Sequence, residues 1–310
     1  MAKRSQQLKV QLVSAAAAVV LSGFALSAAT YAWYVANNTV SAKTTTISAT
    51  TNGFILQIAQ KSKGAQHGGA QDSLTATELG GKITPSSTDN MADWYACQGW
   101  GEDGKVTSYT KLNFTAGGKA GEYEAGGETH YAFLKGEYIL YTISDTGFAD
   151  VYLADPSEKP VEVTVNGDAT TDTIPKSLRV GLTIQNADAD GNGTGAEDLK
   201  CVYAPYAVEG KGNDASAIDG WACINGSAAP VAPSYQHIEA NAYGGWCASK
   251  DGEDYVAGSK AIAKRVGYNG VILRVYIWME GTDADCVNNE AAEDTATYNV
   301  TVRLAGVSAE

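Results

Sequence analysis

Short stretches rich in β-branched and aromatic residues alternate along the chain with loops rich in Gly, Asp, Asn and Pro. Such residues favour strands, and strands separated by turn signals at this spacing are typical of an antiparallel β-sandwich. We therefore predict an all-β fold. The predicted strands are Thr44–Ala49, Phe54–Ala59, Phe133–Ser144, Val151–Leu153, Val161–Val165, Leu178–Ile184, Cys201–Ala207, Val271–Trp278 and Thr297–Leu304.

Some of these elements carry more specific expectations. Val271–Trp278 is almost wholly apolar, which predicts a strand in the middle of a sheet. Asn52-Gly53, between the first two strands, is a strong turn signal and predicts a hairpin. Helix is scarce, with Ser73–Leu79 and Asp283–Ala292 as the best short candidates. Long polar loops form two insertions, at about residues 61–130 and 210–255, within a sandwich domain that covers residues 51–310.

The first 32 residues have the layout of an export signal. Basic residues come first, at Lys3, Arg4 and Lys9, and the apolar stretch Leu12–Ala29 follows them. A positive start, an apolar stretch and small residues before a cleavage point are the features of a secretory signal. We therefore expect an N-terminal signal helix and a mature chain that is secreted, extracellular or on the cell surface.

The favoured cleavage point lies between Ala32 and Trp33. Thr30 and Ala32 supply small residues at positions −3 and −1, and Ser27 and Ala29 supply a second such pair. The alternative is a retained transmembrane anchor, which needs about 20 apolar residues. The apolar stretch barely reaches that length, so we favour cleavage after Ala32.

The charge of the chain restricts its partners. The 310 residues include 22 Lys and Arg against 35 Asp and Glu, a formal net charge of −13. Because nucleic acid attracts basic surfaces, this balance argues against nucleic acid as a partner. It suits a soluble extracellular protein whose subunits need specific contacts in order to associate.

Five cysteines follow the signal segment, at positions 97, 201, 223, 247 and 286. Disulfides form in exported proteins, and an odd number leaves at least one thiol free or bonded between molecules. Cys223 and Cys247 lie in similar settings, each shortly after a Trp, and we predict that these two pair. The alternative is five reduced, buried thiols. Without a Cys-x-x-Cys motif or a Cys/His cluster, a zinc site is not expected.

One stretch fits the twelve-residue calcium loop. Residues 186–197 read NADADGNGTGAE, with oxygen donors at positions 1, 3 and 5, Gly at 6 and Glu at 12. Because the flanks are predicted strands and Asp/Asn/Gly runs are common in loops, an ordinary turn is the alternative. Calcium is the one candidate cofactor. Its predicted ligands are Asn186, Asp188, Asp190, Asn192 and Glu197.

Nothing in the chain has a catalytic signature, and we predict that the protein is not an enzyme. The three histidines are scattered among loops without an HExxH motif. There is also no nucleophile elbow and no phosphate-binding glycine loop. A Ser–His–Asp set leaves no local motif, because folding alone brings its members together.

Two further groups have a functional and a structural interpretation. Four tryptophans lie in the predicted insertions, and we favour their packing onto the core over a sugar-binding platform. The acidic run 283–286, which follows Glu280, is interpreted as a helix start, with a metal or redox corner as the alternative. The four tryptophans are Trp94, Trp100, Trp221 and Trp246.

The N-terminal region resembles that of the TasA/camelysin group of secreted proteins. The residues that carry the resemblance are Thr30-Tyr31-Ala32-Trp33-Tyr34-Val35 and the following stretch Val40–Ala49. In that group a T-[W/Y/F]-A site, cut by a SipW-type signal peptidase, precedes a short linker and a strand. Shorter internal blocks, such as Ile83–Ser87 and Trp278–Asp283, are weaker matches.

The resemblance implies a jelly-roll-like β-sandwich, secretion and, for the TasA branch, assembly into biofilm fibres. There the mature N-terminus of one subunit adds as a donor strand to the next. Residues 33–50 contain strand-forming residues and neither Pro nor Gly, which suits donor-strand complementation. The alternative is that Val40–Ala49 pairs within its own domain. The candidate pocket-filling residues are Trp33, Tyr34, Val35, Val40 and Ile47.

We therefore expect a structural subunit of an extracellular fibre, pilus-like filament or biofilm matrix. Residues 1–32 are the signal peptide and residues 33–50 the linker and donor strand. Its partners would be copies of itself and a SipW-type peptidase, with the membrane contacted only through the signal segment. The alternative function is a surface adhesin or carbohydrate-binding module, held by an uncleaved signal anchor and binding through its Trp-rich loops.

Overall fold

The fold is built almost entirely of strands. The computed structural model describes residues 40–51, 56–61, 65, 73–77, 82–101, 106–143, 147–166, 177–204, 222–226, 229–239, 243–252, 254–283, 286 and 297–309. The helical segments within the described residues are short 3-10 turns such as Pro156–Glu158 and Gly244–Trp246. The predicted all-β class is confirmed.

The strands follow one another along the chain as β1 Val40–Thr51, β2 Leu56–Gln60, β3 Ser73–Thr77, β4 Lys82–Ile83, β5 Ser86–Ser87, β6 Tyr95–Trp100, β7 Val106–Lys111, β8 Glu122–Ala125, β9 Glu128–Tyr131, β10 Leu134–Thr142, β11 Phe148–Leu153, β12 Val161–Asn166, β13 Leu178–Ala187, β14 Gly193–Ala204, β15 His237–Glu239, β16 Ser249–Asp251, β17 Asp254–Val256, β18 Ala263–Val266, β19 Val271–Met279 and β20 Thr297–Ala309.

Two large sheets form the sandwich. The nine-stranded sheet has the order β18-β11-β20-β1-β4-β9-β8, with β12 also paired to β20 and β3 also paired to β1. The six-stranded sheet has the order β15-β14-β13-β19-β10-β2. Two small sheets, β5-β6-β7 and β16-β17, accompany them. The jelly-roll connectivity and the signal helix stay predictions.

One hydrophobic core fills the space between the two large sheets. Alternate residues of β19, including Val275 and Ile277, meet Val300, Val302 and Leu304 of β20 in this core. Burying each such side chain contributes about 1.5–3 kcal/mol. All residues of β19 are buried, and the strand lies between β13 and β10, so the predicted central strand is confirmed.

A second cluster covers part of the outer face of the six-stranded sheet. Trp94 packs against Phe133 at a ring-centroid distance of 4.3 Å and edge-on against Trp278 at 5.6 Å. Tyr276 joins the same cluster. Because Tyr276 and Trp278 alternate with the core residues of β19, this strand has apolar residues on both faces. The segment around Trp94 therefore forms an additional layer on the sandwich.

Two local expectations were wrong. β1 and β2 do not form the predicted hairpin, because β1 lies in the nine-stranded sheet and β2 lies at the edge of the six-stranded sheet. The start of the predicted helix Ser73–Leu79 is the strand β3, which pairs with β1. The Ser-Leu-Thr-Ala-Thr sequence of β3 alternates with a period of two, and pairing with β1 stabilises that conformation. Most of the other candidate helix, Asp283–Ala292, lies outside the described residues.

Candidate functional site

The predicted donor strand, β1, lies inside the nine-stranded sheet. It runs parallel to β20, from Ser41 opposite Thr297 to Thr51 opposite Gly306. Its other edge pairs with β3 and, near its start, with β4, both in the antiparallel direction. Both edges of β1 are therefore hydrogen-bonded within the same subunit, as in the alternative interpretation of Val40–Ala49.

The pairing between β1 and β20 joins the first described strand to the last. On its far edge, β20 pairs with β11 and β12, and both of these are antiparallel to it. Parallel neighbours cannot be joined by a tight turn. Residues 52–296 separate β1 from β20 along the chain, so β1 is placed by pairing with distant strands. We call the space between β20 on one side and β3 and β4 on the other the β1 slot.

The β1 slot lies beside the hydrophobic core. Val302 of β20 is fully buried and stands opposite Ile47 in the register, and Leu304 stands opposite Ala49. Val40 stands opposite the buried residue Ile83 of β4. An empty slot would therefore expose the backbone edge of β20 directly beside the core, which favours occupation by some strand.

The remaining N-terminal predictions lie outside the described residues. These are the signal segment 1–32, the cleavage residues Thr30 and Ala32, and the first donor residues Trp33, Tyr34 and Val35. Within the described part of the chain, no helix is long and apolar enough to span a membrane. Signal cleavage therefore stays a prediction.

Comparison with known proteins adds no relative. No protein-family model, curated protein or solved structure matches this chain. The resemblance to the TasA/camelysin group rests on Thr30–Val35 and Val40–Ala49 and remains a resemblance. Function therefore has to be argued from the strand pairing and from the chemistry of the described side chains.

The predicted calcium loop forms the turn of a β-hairpin between β13 and β14. Asn186 is already paired with β14. Asp188 Oδ1 accepts hydrogen bonds from the backbone N–H groups of Asp190 at 3.0 Å and Asn192 at 2.8 Å. These bonds hold the pKa of Asp188 below its ordinary value. Gly191 has a φ of +79°, so the turn itself explains the glycine at position 6.

Glu197, the predicted ligand at position 12, is bound to other side chains. Its carboxylate accepts hydrogen bonds from Tyr276 Oη at 3.0 Å and from Thr183 Oγ1. It also pairs with Arg274, 3.1 Å away, which in turn donates to Glu137 at 2.7 Å. Among the residues that the structure describes, no group of three or more His, Cys, Asp or Glu side chains is placed to hold a metal ion. Calcium binding stays a prediction that these contacts do not support.

A buried polar cluster, the Glu280 cluster, lies just beyond the end of β19. Its members are Ser87, Arg179, Glu280, Thr282 and Asp283. Glu280 is 0% exposed and accepts hydrogen bonds from Trp278 Nε1 at 3.1 Å. Thr282 donates to the same carboxyl through its hydroxyl at 2.9 Å and its backbone N–H at 3.2 Å.

The Glu280 cluster also contains a buried ion pair, between Arg179 and Asp283. Arg179 lies on β13, is 1% exposed, and donates from Nη2 to Asp283 and from Nη1 to the carbonyl of Leu178 at 3.0 Å. The sequence analysis missed this pair and placed Asp283 at a helix start. The available signal was an arginine inside the apolar strand Leu178–Ile184, since a buried charge requires a partner.

Burial raises the pKa of Glu280 from its ordinary value of 4.5 to about 7. Hydrogen bonds from Ser87 and Trp278 and the charge of Arg179 act in the opposite direction, but burial outweighs them. A carboxyl that titrates near neutral pH is a candidate acid–base group. General acid–base catalysis also requires contact with a substrate. Glu280 is 0% exposed, and a pKa that differs between the folded and unfolded states makes stability depend on pH.

All five cysteines are buried thiols in this structure. The backbone of Cys223 forms an isolated antiparallel β-bridge with Val231. The Cys223 Sγ also donates a hydrogen bond to the Val231 carbonyl at 3.4 Å. The backbone of Cys247 forms a separate, parallel β-bridge with Leu153 at the end of β11. Cys223 and Cys247 are therefore held by different elements, and a disulfide between them stays a prediction.

The described Trp-rich loops pack inward. Trp94 is 2% exposed and Trp246 is 6% exposed. The ammonium group of Lys260 lies 5.5 Å from the ring centroid of Trp246. Trp221 lies outside the described residues, and Trp100 is the last residue of β6. Trp94 and Trp246 therefore anchor their loops, as the favoured interpretation predicts, and neither offers an open ring face for a sugar.

Proposed function

We propose that this protein is a secreted structural subunit of an extracellular fibre or biofilm matrix, and that its copies assemble by exchanging β1. The observation that carries this proposal is the position of β1. It is the first described strand, it pairs on both edges, and it lies parallel to the C-terminal strand β20. A strand held in this way can be supplied by another copy of the chain.

Strand exchange replaces one set of hydrogen bonds with an equivalent set. A β1 segment from a second subunit can form the same main-chain bonds in the slot as the subunit's own β1. The donor and acceptor surfaces differ, so each subunit can accept one strand and donate another. A head-to-tail contact of this type produces a filament when its rotation does not close a ring.

The sequence of β1 suits exchange. It reads VSAKTTTISATT, rich in Thr and Ser, with one Val and one Ile. Threonine favours extended backbone. Exposing a hydroxyl side chain to water also costs less free energy than exposing a large apolar side chain, because the hydrophobic penalty scales with the apolar area exposed. The release of β1 from its own slot is therefore less costly than the release of a strand such as β19.

The first test compares filament formation by residues 33–310 and residues 52–310. We expect negative-stain electron microscopy of concentrated samples to show filaments for the longer chain and monomers for the chain that lacks β1. Filaments from residues 52–310, or monomers in both samples, would contradict assembly through β1. Circular dichroism of both chains checks that the shorter chain retains its β-structure.

A point variant makes the test specific to backbone pairing. Thr46 stands opposite Thr301 of β20 and Thr75 of β3. Proline at this position removes a backbone donor from an interior strand, so Thr46→Pro should abolish filaments, whereas Thr46→Val should retain them. A synthetic peptide of residues 33–51 should also bind residues 52–310 in a titration, and the same peptide with Thr46→Pro should not. Equal binding by both peptides would rule out occupation of the β1 slot.

A further inference from the structure

We propose that Cys201 and Cys247 form a disulfide bond that joins the two large sheets of the sandwich. The bond requires an oxidising compartment, so in the organism it rests on the proposed export of the chain. It assigns a modification site that the sequence spacing did not indicate. The argument depends on where the two thiols lie and on what holds their segments together.

The two thiols approach one core from different sheets. Cys201 lies on β14 of the six-stranded sheet, opposite Leu182 of β13, and its side chain is buried in the main core. Cys247 is buried in the same core. The segment that contains Cys247 is attached to the nine-stranded sheet by backbone contacts with Leu153 of β11. Cys247 forms a β-bridge with Leu153, and the backbone N–H of Ala248 donates to the Leu153 carbonyl at 2.9 Å. A bond between them would therefore connect the two sheets.

Two tyrosines hold these segments side by side. Tyr203, which follows Cys201 on the same face of β14, stacks on Tyr243 with ring centroids 5.5 Å apart and an angle of 9° between the rings. Their hydroxyl oxygens are 3.3 Å apart. The 3-10 turn Gly244–Trp246 then leads from Tyr243 to Cys247. The stacked pair and the short turn together fix Cys247 near β14.

The electrostatic surroundings of Cys201 agree with this placement. Burial raises the pKa of Cys201, and the next largest cause is the thiol of Cys247. Cys223 is different, since its pKa is raised by burial and then by Glu280 and Asp89. Cys223 therefore belongs to the surroundings of the Glu280 cluster, whereas Cys247 acts on the pKa of Cys201.

The reaction balances as an ordinary thiol–disulfide exchange. The Cys201 and Cys247 thiols lose two protons and two electrons as the S–S bond forms. The electrons reduce the disulfide of an oxidant, such as oxidised glutathione or a disulfide oxidoreductase, to two thiols through a mixed disulfide. Burial raises the pKa of Cys247 to about 12, so its reactive thiolate is scarce in the folded protein. The bond should therefore form during folding, before the core closes.

Peptide mapping tests the pairing directly. Residues 33–310 are reduced, denatured and refolded in a mixture of reduced and oxidised glutathione, and the remaining free thiols are alkylated. Cleavage after Asp and Glu places Cys201, Cys223 and Cys247 in separate peptides, because Glu209, Asp219 and Glu239 lie between them. We expect mass spectrometry to find the Cys201 and Cys247 peptides linked. Alkylation of both residues, or a link from Cys247 to Cys223, would overturn the proposal.

Thermal unfolding supplies a second readout that does not depend on the digest. In the oxidised protein, addition of a reductant should lower the Tm by about 10 °C, since the cross-link closes a long loop. The variant with both Cys201→Ala and Cys247→Ala should show no such shift, whereas the control Cys223→Ala should keep it. A shift that survives in the double variant would overturn the assignment. Neither experiment requires filaments, so failure here is distinct from failure of the proposed assembly.

Discussion

Replacing Asp283 with alanine is expected to lower the free energy of unfolding by about 3–5 kcal/mol, because it removes the carboxylate from a buried ion pair. Arg179 is 1% exposed and pairs with Asp283 through its Nη2. Once Asp283 is truncated, the guanidinium stays in the Glu280 cluster without that carboxylate and without access to bulk water. The loss of compensation for a buried charge, rather than the strength of one salt bridge, sets the size of the effect.

Equilibrium urea unfolding of the wild type and Asp283→Ala measures this change. The matched control is Asp93→Ala, which breaks the ion pair between Lys111 and Asp93 at 2.7 Å. Both of those side chains are well exposed to solvent, and we expect the unfolding midpoint to stay near that of the wild type. Similar shifts in the two variants would contradict the argument from burial.

A double variant separates charge from packing. Arg179→Met combined with Asp283→Leu removes both charges and restores apolar volume, so it should regain most of the stability lost in Asp283→Ala. If the double variant is as unstable as the single one, the cluster is stabilised by its shape and by its other hydrogen bonds. The ion pair would then not be the cause.

The strands that sequence analysis located best are those whose pattern reports directly on burial. Val271–Trp278 is apolar on both faces because one face meets the main core and the other meets the aromatic cluster around Trp94. A continuous apolar run is the expected sequence of such a strand. Thr297–Leu304 was also located, although the strand continues to Ala309.

Strand partners are harder to predict, because pairing depends on residues far away in the chain. The Asn52-Gly53 signal indicated a hairpin between β1 and β2, yet β1 pairs with β20, beyond residue 296. A local turn signal describes which conformations the backbone tolerates. It does not decide which edge of which sheet a strand will join once the core has formed.

Local sequence also does not show which distant side chains meet in the candidate sites. Residues 186–197 match a calcium loop, but the Asp, Asn and Gly that would bind calcium also serve the hairpin turn, and Glu197 faces Arg274. Arg179 and Asp283 are 104 residues apart in sequence. No spacing rule connects them, so the pair could be located only through the packing of β13 beside the end of β19.

Raising the pH from about 4.5 to 7 is expected to remove about 3 kcal/mol of stability through Glu280 alone. The pKa of Glu280 is about 7 in the folded protein and 4.5 as its ordinary value, because burial disfavours the carboxylate. Between these values the folded state binds a proton that the unfolded state has released. The stabilising contribution is therefore complete below pH 4.5, falls as the pH rises, and is constant above about pH 7.

The variant Glu280→Gln isolates this contribution, because its side chain accepts hydrogen bonds but does not titrate. Unfolding free energies of the wild type and the variant are measured from pH 4.5 to 7.5, and their difference is plotted against pH. Other carboxylates, such as Glu162, have pKa values lowered by Arg303 and Lys159, and they lose stability on acidification in both proteins. Their effect cancels in the difference, which leaves Glu280.

We expect the advantage of the wild type over Glu280→Gln to decrease by about 1.4 kcal/mol for each pH unit within this range. The slope is the diagnostic quantity, since glutamine can also change stability by a fixed amount when its NH2 group faces Trp278 Nε1. A difference that does not vary with pH would show that Glu280 is ionised throughout. The donors from Trp278 and Thr282, together with the charge of Arg179, would then outweigh the cost of burying the carboxylate.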